Sequence, residues 1–189
     1  MAPVELFSFE ACPYAQRTRM ALIEKNIDFS LTEVDLYNKP AWWKELSPYG
    51  KVPLIRHNGD IVFESRIINE YLEEVFPDPA LMPKDHMLRA KARIWIDYCD
   101  SYFMPALHGL IAGRLDEEKQ ARNRDKVKEK LHFLEHEGFR KMGDGPYFMG
   151  CDVTLVDLHF MPFFERFPCY VDLWGAQIPE DCIRIQQWV

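Results

Sequence analysis

The residues most able to do chemistry in this chain lie in the run Phe9-Glu10-Ala11-Cys12-Pro13-Tyr14-Ala15-Gln16-Arg17-Thr18-Arg19, with one cysteine at its centre. Upstream, Val4-Glu5-Leu6-Phe7-Ser8-Phe9 alternates side chains with the period of a strand. Downstream, Met20, Leu22, Ile23 and Ile27 recur at helical spacing, and Pro13 stands where a helix accepts proline, in its first turn. Cys12 therefore falls at a helix N-terminus, where unpaired amides and the positive end of the helix dipole favour a thiolate. A less basic thiolate attacks more slowly but leaves a mixed disulfide more readily, which suits a sulfur that forms and releases disulfides. Position 15 is alanine, so the second sulfur of a C-x-x-C pair is missing and an external thiol must resolve any mixed disulfide. Alternatively, Cys12 is a small apolar residue packed in a turn.

The rest of the composition limits what else the chain can do. Its 189 residues, 48% apolar and 14% aromatic, suffice for one large core or two modest ones. A net charge of −7 without a basic stripe argues against nucleic acid as a partner. No segment resembles a secretory leader, and no apolar run is long enough to span a membrane, so a cytoplasmic protein is expected. The five cysteines, at 12, 99, 151, 169 and 182, are odd in number and scattered, which suits a reducing compartment. The last four read as packing residues.

Several elements must position Cys12. Phe29 to Val34 reads as a second strand returning after a helix, which implies a parallel βαβ unit. A loop carrying Lys39 and a short helix around Trp42-Trp43-Leu46 follow. A cis Val52-Pro53 bond would explain a proline at the head of an apolar strand, and would leave the Val52 backbone free to pair with an extended peptide. Asn58-Gly59 is a hairpin turn joining Leu54–His57 to Ile61–Phe63. Glu64-Ser65 opens an amphipathic helix, with Ser65 either an N-cap or a donor to a carboxylate. Together these elements make a thioredoxin-like α/β layout. Residues 1–76 form that domain, and the proline-rich stretch 77–84 is the linker. Residues 85–189 form an all-α domain: a long helix over His86–Gly113 bent near Pro105, a charged helix over Asp116–Lys141 with a solvated face, an apolar helix capped by Thr154 and Asp157, and a last helix from Ile178-Pro179-Glu180. His132-Phe133-Leu134-Glu135-His136 matches an H-x-x-E-H metal pattern without a third ligand in suitable context, and no metal is expected.

These motifs resemble the glutathione transferases, and in particular the cysteine-type omega class and its bacterial relatives. The likeness rests on Cys12-Pro13-Tyr14-Ala15-Gln16-Arg17-Thr18-Arg19, Asn38-Lys39-Pro40-Ala41-Trp42, Pro48-Tyr49-Gly50-Lys51-Val52-Pro53 and Glu64-Ser65. The resemblance implies the glutathione transferase fold, with glutathione as co-substrate and a homodimer as the assembly. It implies that Cys12 forms a mixed disulfide with glutathione and that Lys39 approaches its glycine carboxylate. Val52 would pair with its cysteinyl backbone beside Pro53, and Glu64 and Ser65 would hold its γ-glutamyl end. Tyr14 stands where the family more often has phenylalanine and borders the second-substrate pocket. Family members continue for several tens of residues beyond the helix containing Trp188, and those residues help wall that pocket.

The activity so implied is thiol transfer: deglutathionylation, or reduction of dehydroascorbate or small disulfides. Reductive release of glutathione from glutathionyl-quinones or related conjugates is the alternative enzyme reading. A regulatory binding protein that keeps the fold without turnover is the alternative of another kind.

Overall fold

The computed structural model describes residues 4–113 and 116–189, which divide into two compact units, Met1–Leu81 and Met82–Val189. Among the described residues, no helix is long and apolar enough to cross a membrane.

The first unit is a four-stranded mixed sheet in the order β2-β1-β3-β4. Its strands are β1 (Val4–Ser8), β2 (Phe29–Glu33), β3 (Leu54–His57) and β4 (Asp60–Phe63). β1 pairs parallel with β2, Leu6 opposite Leu31, and antiparallel with β3, Leu6 opposite Ile55. Asn58 and Gly59 both take positive φ, 54° and 92°, so the β3–β4 turn has the geometry that Asn-Gly sequences favour. The alternation in β1 predicts one buried face, yet Val4, Leu6, Phe7 and Ser8 are all buried. β1 is an interior strand with both faces covered. Phe7 packs on Trp42 and Trp43, with ring centroids 6.0 and 5.8 Å away, while Val4 and Leu6 alternate to the opposite face.

Helices α1 (Pro13–Glu24) and α3 (Ser65–Val75) pack together, and the short α2 (Trp43–Leu46) carries the buried Trp43. A buried ion pair ties α1 to α3. Lys25 Nζ lies 2.7 Å from Glu73 Oε2, with the two side chains 0% and 5% exposed. The same lysine donates to the Pro79 carbonyl at 2.7 Å, and Glu73 accepts from the Leu81 amide at 3.0 Å. Val52-Pro53 is cis, and so is Asp78-Pro79, which nothing in the sequence reading singles out.

The second unit is helical, with α4 (His86–Tyr98), α5 (Met104–Ala112), α6 (Glu117–Phe133), α7 (Arg140–Met142), α8 (Leu155–Glu165), α9 (Phe167–Trp174) and α10 (Ile183–Trp188). The bend expected near Pro105 is a π-helical turn, Cys99–Phe103, after which Pro105 opens α5 within its first turn. A second π turn, Leu134–Phe139, interrupts the charged helix. That helix is less completely solvated than its charge suggests. Gln120 and Asn123 are buried with Val127 and Leu131, and their amides donate to the carbonyls of Leu110 at 2.9 Å and Gly109 at 2.6 Å. Two hydrogen-bonded polar side chains thus stand on the core face of α6.

Thr154 and Asp157 form the expected capping box. Asp157 also accepts from the Phe148 amide at 2.8 Å and the Trp188 indole at 2.9 Å, so one carboxylate gathers three parts of the unit. α9 follows the kink after α8 and ends at Gly175, whose φ of 66° suits glycine. The last helix begins at Ile183 rather than at Ile178–Glu180. The buried Glu135 accepts from its first amides, Arg184 at 3.2 Å and Ile185 at 3.0 Å, which fixes the start from outside the helix. Cys99 and Cys182 are buried as packing residues should be, but Cys151 and Cys169 are exposed.

Replacing Glu73 with alanine strands the Lys25 ammonium in the interior, and the expected loss in unfolding free energy is about 3–5 kcal/mol. Urea denaturation measures it. The paired change Lys25→Met with Glu73→Leu should recover much of that loss, because two matched apolar groups leave no buried charge.

Candidate functional site

The site begins where β1 hands over to α1. The Cys12 amide donates back to the Phe9 carbonyl at 2.9 Å, and the Cys12 carbonyl accepts from the Gln16 amide at 3.0 Å, closing the first turn of the helix. Cys12 is therefore the N-cap, with extended φ and ψ of −79° and 115°, and Pro13 follows it as the first helical residue. Its side chain is half-buried against a cluster of Phe7, Ala15, Val34, Trp43, Val52 and Leu54. The sulfur is directed at the Val52 carbonyl, 4.0 Å away.

Val52 is the other half of this contact. It precedes cis Pro53, and among the described residues nothing accepts a hydrogen bond from its amide. The Val52 backbone thus offers a donor beside the thiol, available to an extended chain.

The remaining predicted residues lie in the segment before Val52 and at the starts of α1 and α3. Lys39 is exposed, and its ammonium stands over Gly50, 3.5 Å from where a side-chain carbon at that glycine would begin. Gly50 takes a φ of 62°, so a larger residue there would be strained by its backbone. The turn holding it is closed by Ser47, whose hydroxyl accepts from the Lys51 amide at 3.1 Å and donates to the Lys51 carbonyl at 3.1 Å. Tyr49 stacks edge-on against Phe63, 5.1 Å between ring centroids, which links this turn to the end of β4. Glu64 follows, exposed and at φ 71°, ψ 112°, a conformation that costs a non-glycine residue about 1–3 kcal/mol. Such outliers persist where the surroundings over-determine them, as at ligand clamps.

Glu64, not Ser65, is the N-cap of α3, and its side chain makes no capping bond. Ser65 is the first helical residue, 6% exposed, and its hydroxyl accepts from Arg17 Nη1 at 3.4 Å. Arg17 is fully buried and carries the contact between the two helix starts. Its guanidinium also lies over the Tyr14 ring, 4.9 Å from the centroid. The Tyr14 ring is thereby engaged by Arg17 of the same helix.

Two arginines of the first motif bear on the site without having been assigned a part in it. Arg17 joins α1 to α3, as described. Arg19 braces the loop that presents Cys12, donating to Ser8 Oγ at 2.5 Å, the Phe9 carbonyl at 3.4 Å and the Glu10 carbonyl at 3.0 Å. Their spacing in Cys12-Pro13-Tyr14-Ala15-Gln16-Arg17-Thr18-Arg19 was visible, but only the fold shows what each guanidinium reaches. An open groove of about 430 Å³ in the same unit is lined by Glu5, Phe7, Thr32, Trp42 and Arg56 among others, and by none of the predicted site residues.

A thioredoxin-like domain with one thiol at its first strand–helix junction, followed by an all-helical domain, is the architecture of the glutathione transferase fold. Residues 11–75 match the family model described as glutathione S-transferase, N-terminal domain. The chain is 35% identical over 188 residues to glutathione S-transferase U19 of Arabidopsis thaliana, covering 98% of this chain and 83% of that one. Among solved structures, glutathione transferase Omega 3C of Trametes versicolor superposes with a TM-score of 0.87 at 28% identity, over 97% of this chain and 83% of that one. A rice glutathione S-transferase solved in complex with glutathione superposes with a TM-score of 0.85 at 32% identity, over 98% and 84%. The chain belongs to the glutathione transferase superfamily.

Arg19→Ala removes three hydrogen bonds from the loop that carries Cys12. The expected result is a destabilisation of about 1–3 kcal/mol and faster amide exchange across residues 9–12, read by hydrogen-exchange mass spectrometry, with little change in α3.

Proposed function

We propose that this chain is a glutathione-dependent thiol transferase of the cysteine type, omega-like in its chemistry. The observation that carries the reading is the placement of Cys12 Sγ at the start of α1, 4.0 Å from the Val52 carbonyl and beside an unpaired Val52 amide. An extended tripeptide pairing with that backbone brings its own sulfur to Cys12. The Lys39 ammonium meets the glycine carboxylate of glutathione. The Ser65 hydroxyl, the first amides of α3 and the Glu64 carboxylate take the α-carboxylate and α-amino groups of the γ-glutamyl end.

In the reaction, the Cys12 thiolate attacks the glutathionyl sulfur of a mixed disulfide. The Cys12–glutathione disulfide forms and the substrate leaves as its thiolate. A second glutathione thiolate then attacks the glutathionyl sulfur of the enzyme disulfide. Oxidised glutathione departs and Cys12 is restored as a thiolate. No second protein thiol takes part, which agrees with alanine at position 15. A dimer in the cytoplasm is the expected working form. Small disulfides, which glutathione first exchanges into mixed disulfides, are the proposed substrates of these steps. Dehydroascorbate, a carbonyl acceptor, is the other proposed substrate, its two-electron reduction balanced by two glutathiones leaving as one oxidised glutathione.

Assays with hydroxyethyl disulfide, dehydroascorbate and chlorodinitrobenzene, each with glutathione, test the reading. Thiol transfer should dominate, and Cys12→Ala should lower it to below about 1% by removing the covalent nucleophile. Lys39→Ala should raise the KM for glutathione by about tenfold, the scale of one charge-assisted contact, and leave kcat within a few-fold. Strong conjugation of chlorodinitrobenzene that survives Cys12→Ala would contradict the proposal, because glutathione rather than Cys12 would then be the nucleophile.

A further inference from the structure

The H-x-x-E-H run in the helical unit acquires, in the folded chain, the partner that its sequence context lacks. Glu135 of that run is fully buried and spent on Arg140 Nε at 2.9 Å and the amides of Arg184 and Ile185, so it has no place in a metalloprotease arrangement. The two histidines are placed differently. His132 Nε2 lies 3.0 Å from Asp181 Oδ1, and His136 Nε2 lies 4.0 Å from Asp181 Oδ2. One carboxylate thus faces two imidazoles spaced by a single helical turn.

Cys182, the N-cap of α10, joins them. One donor atom each from His132, Asp181 and Cys182 lies within 4.8 Å of the others. We propose that His132, Asp181 and Cys182 form a binding site for a divalent transition metal of the zinc type, with His136 able to supply the fourth ligand.

The donor set carries the argument. Imidazole, carboxylate and thiolate together suit zinc and its neighbours and do not suit magnesium or calcium, which prefer all-oxygen shells. Around tetrahedral zinc, bonds of about 2.0–2.3 Å place ligand atoms about 3.3–3.8 Å apart. The His132–Asp181 separation of 3.0 Å needs to open by tenths of an ångström, and the sulfur needs to close in by at most about 1 Å. A carboxylate and a thiolate balance the charge of the ion, and the thiol proton leaves to solvent as the metal binds.

Access and surroundings also fit. Asp181 is 61% exposed and His132 33%, which opens a route from solvent, while the sulfur is buried. Arg140 reaches the same corner but is directed to Glu135 and, at 2.9 Å, to the Asp181 carbonyl, leaving the Asp181 carboxylate to the histidines. The metal would fasten the entry of α10 to the end of α6, next to the π turn Leu134–Phe139 that Glu135 already joins to α10 by hydrogen bonds.

The test uses the whole chain, stripped with a chelator and titrated with Co²⁺. The expected result is one equivalent bound with a sulfur-to-cobalt charge-transfer band, displaced by Zn²⁺, and a thermal midpoint raised by Zn²⁺ but not by Mg²⁺. Cys182→Ser should abolish the band, and His132→Ala should weaken binding at least about tenfold. Cys12→Ser and Cys99→Ser should leave the band unchanged; the latter excludes the second convergent set, Cys99, Asp100 and His159. Absence of the band in the wild-type chain, its survival in Cys182→Ser, or its loss in Cys12→Ser or Cys99→Ser would overturn the proposal. If Cys182→Ser does not fold, the partly exposed His132 and His136 decide: unchanged Co²⁺ affinity in His132→Ala with His136→Ala overturns it.

Discussion

Everything proposed for the first unit depends on one approach, that of the Cys12 sulfur to the Val52 backbone. It exists because two chain segments that are far apart in sequence end at the same place. The parallel pairing of β1 with β2 and the antiparallel pairing of β1 with β3 set the sheet, and the hand-over from β1 to α1 then fixes Cys12 at a helix start. Val52-Pro53 arrives from the head of β3, leaving an amide without a partner beside the sulfur. Sheet register therefore becomes reaction geometry, since a slip of one residue in β3 would turn alternate side chains to the other face and shift this edge.

The supporting interactions around that approach divide by kind. Apolar packing of Phe7, Trp42 and Trp43 covers one face of the sheet, and this is the non-directional part of the stability. Directional bonds do the positioning. Arg19 holds the loop before Cys12, Arg17 reaches Ser65 at the start of α3, and Lys25 with Glu73 pins the far ends of the two helices. In the helical unit two buried carboxylates play the corresponding part. Asp157 holds its own helix start and the Trp188 indole, and Glu135 sets where α10 begins.

Much of this was legible in the sequence, for local reasons. The β1 strand, Pro13 after Cys12, Asn58-Gly59 and the Thr154–Asp157 spacing each encode a structure within a few residues, and each appears where expected, although β1 is buried on both faces where its alternation implied one. What the sequence did not disclose depends on distant partners. Gln120 and Asn123 look like surface residues until α5 presents carbonyls to them. The start of α10 at Ile183 is set by Glu135, some fifty residues earlier, and the partner of His132 is Asp181 on that same approach. The site candidates were visible as motif residues, but the bond from Arg17 to Ser65, the left-handed Glu64 backbone and the engagement of Tyr14 by Arg17 are properties of the folded chain.

The central claim is that Cys12 is the sulfur that meets glutathione. Exposure of the reduced chain to oxidised glutathione, followed by intact and peptide mass spectrometry, measures this directly. The account predicts one glutathionyl group on Cys12, formed ahead of any on the exposed Cys151 and Cys169 and removed by reduced glutathione. Adducts confined to Cys151 and Cys169, with Cys12 unmodified, would contradict it.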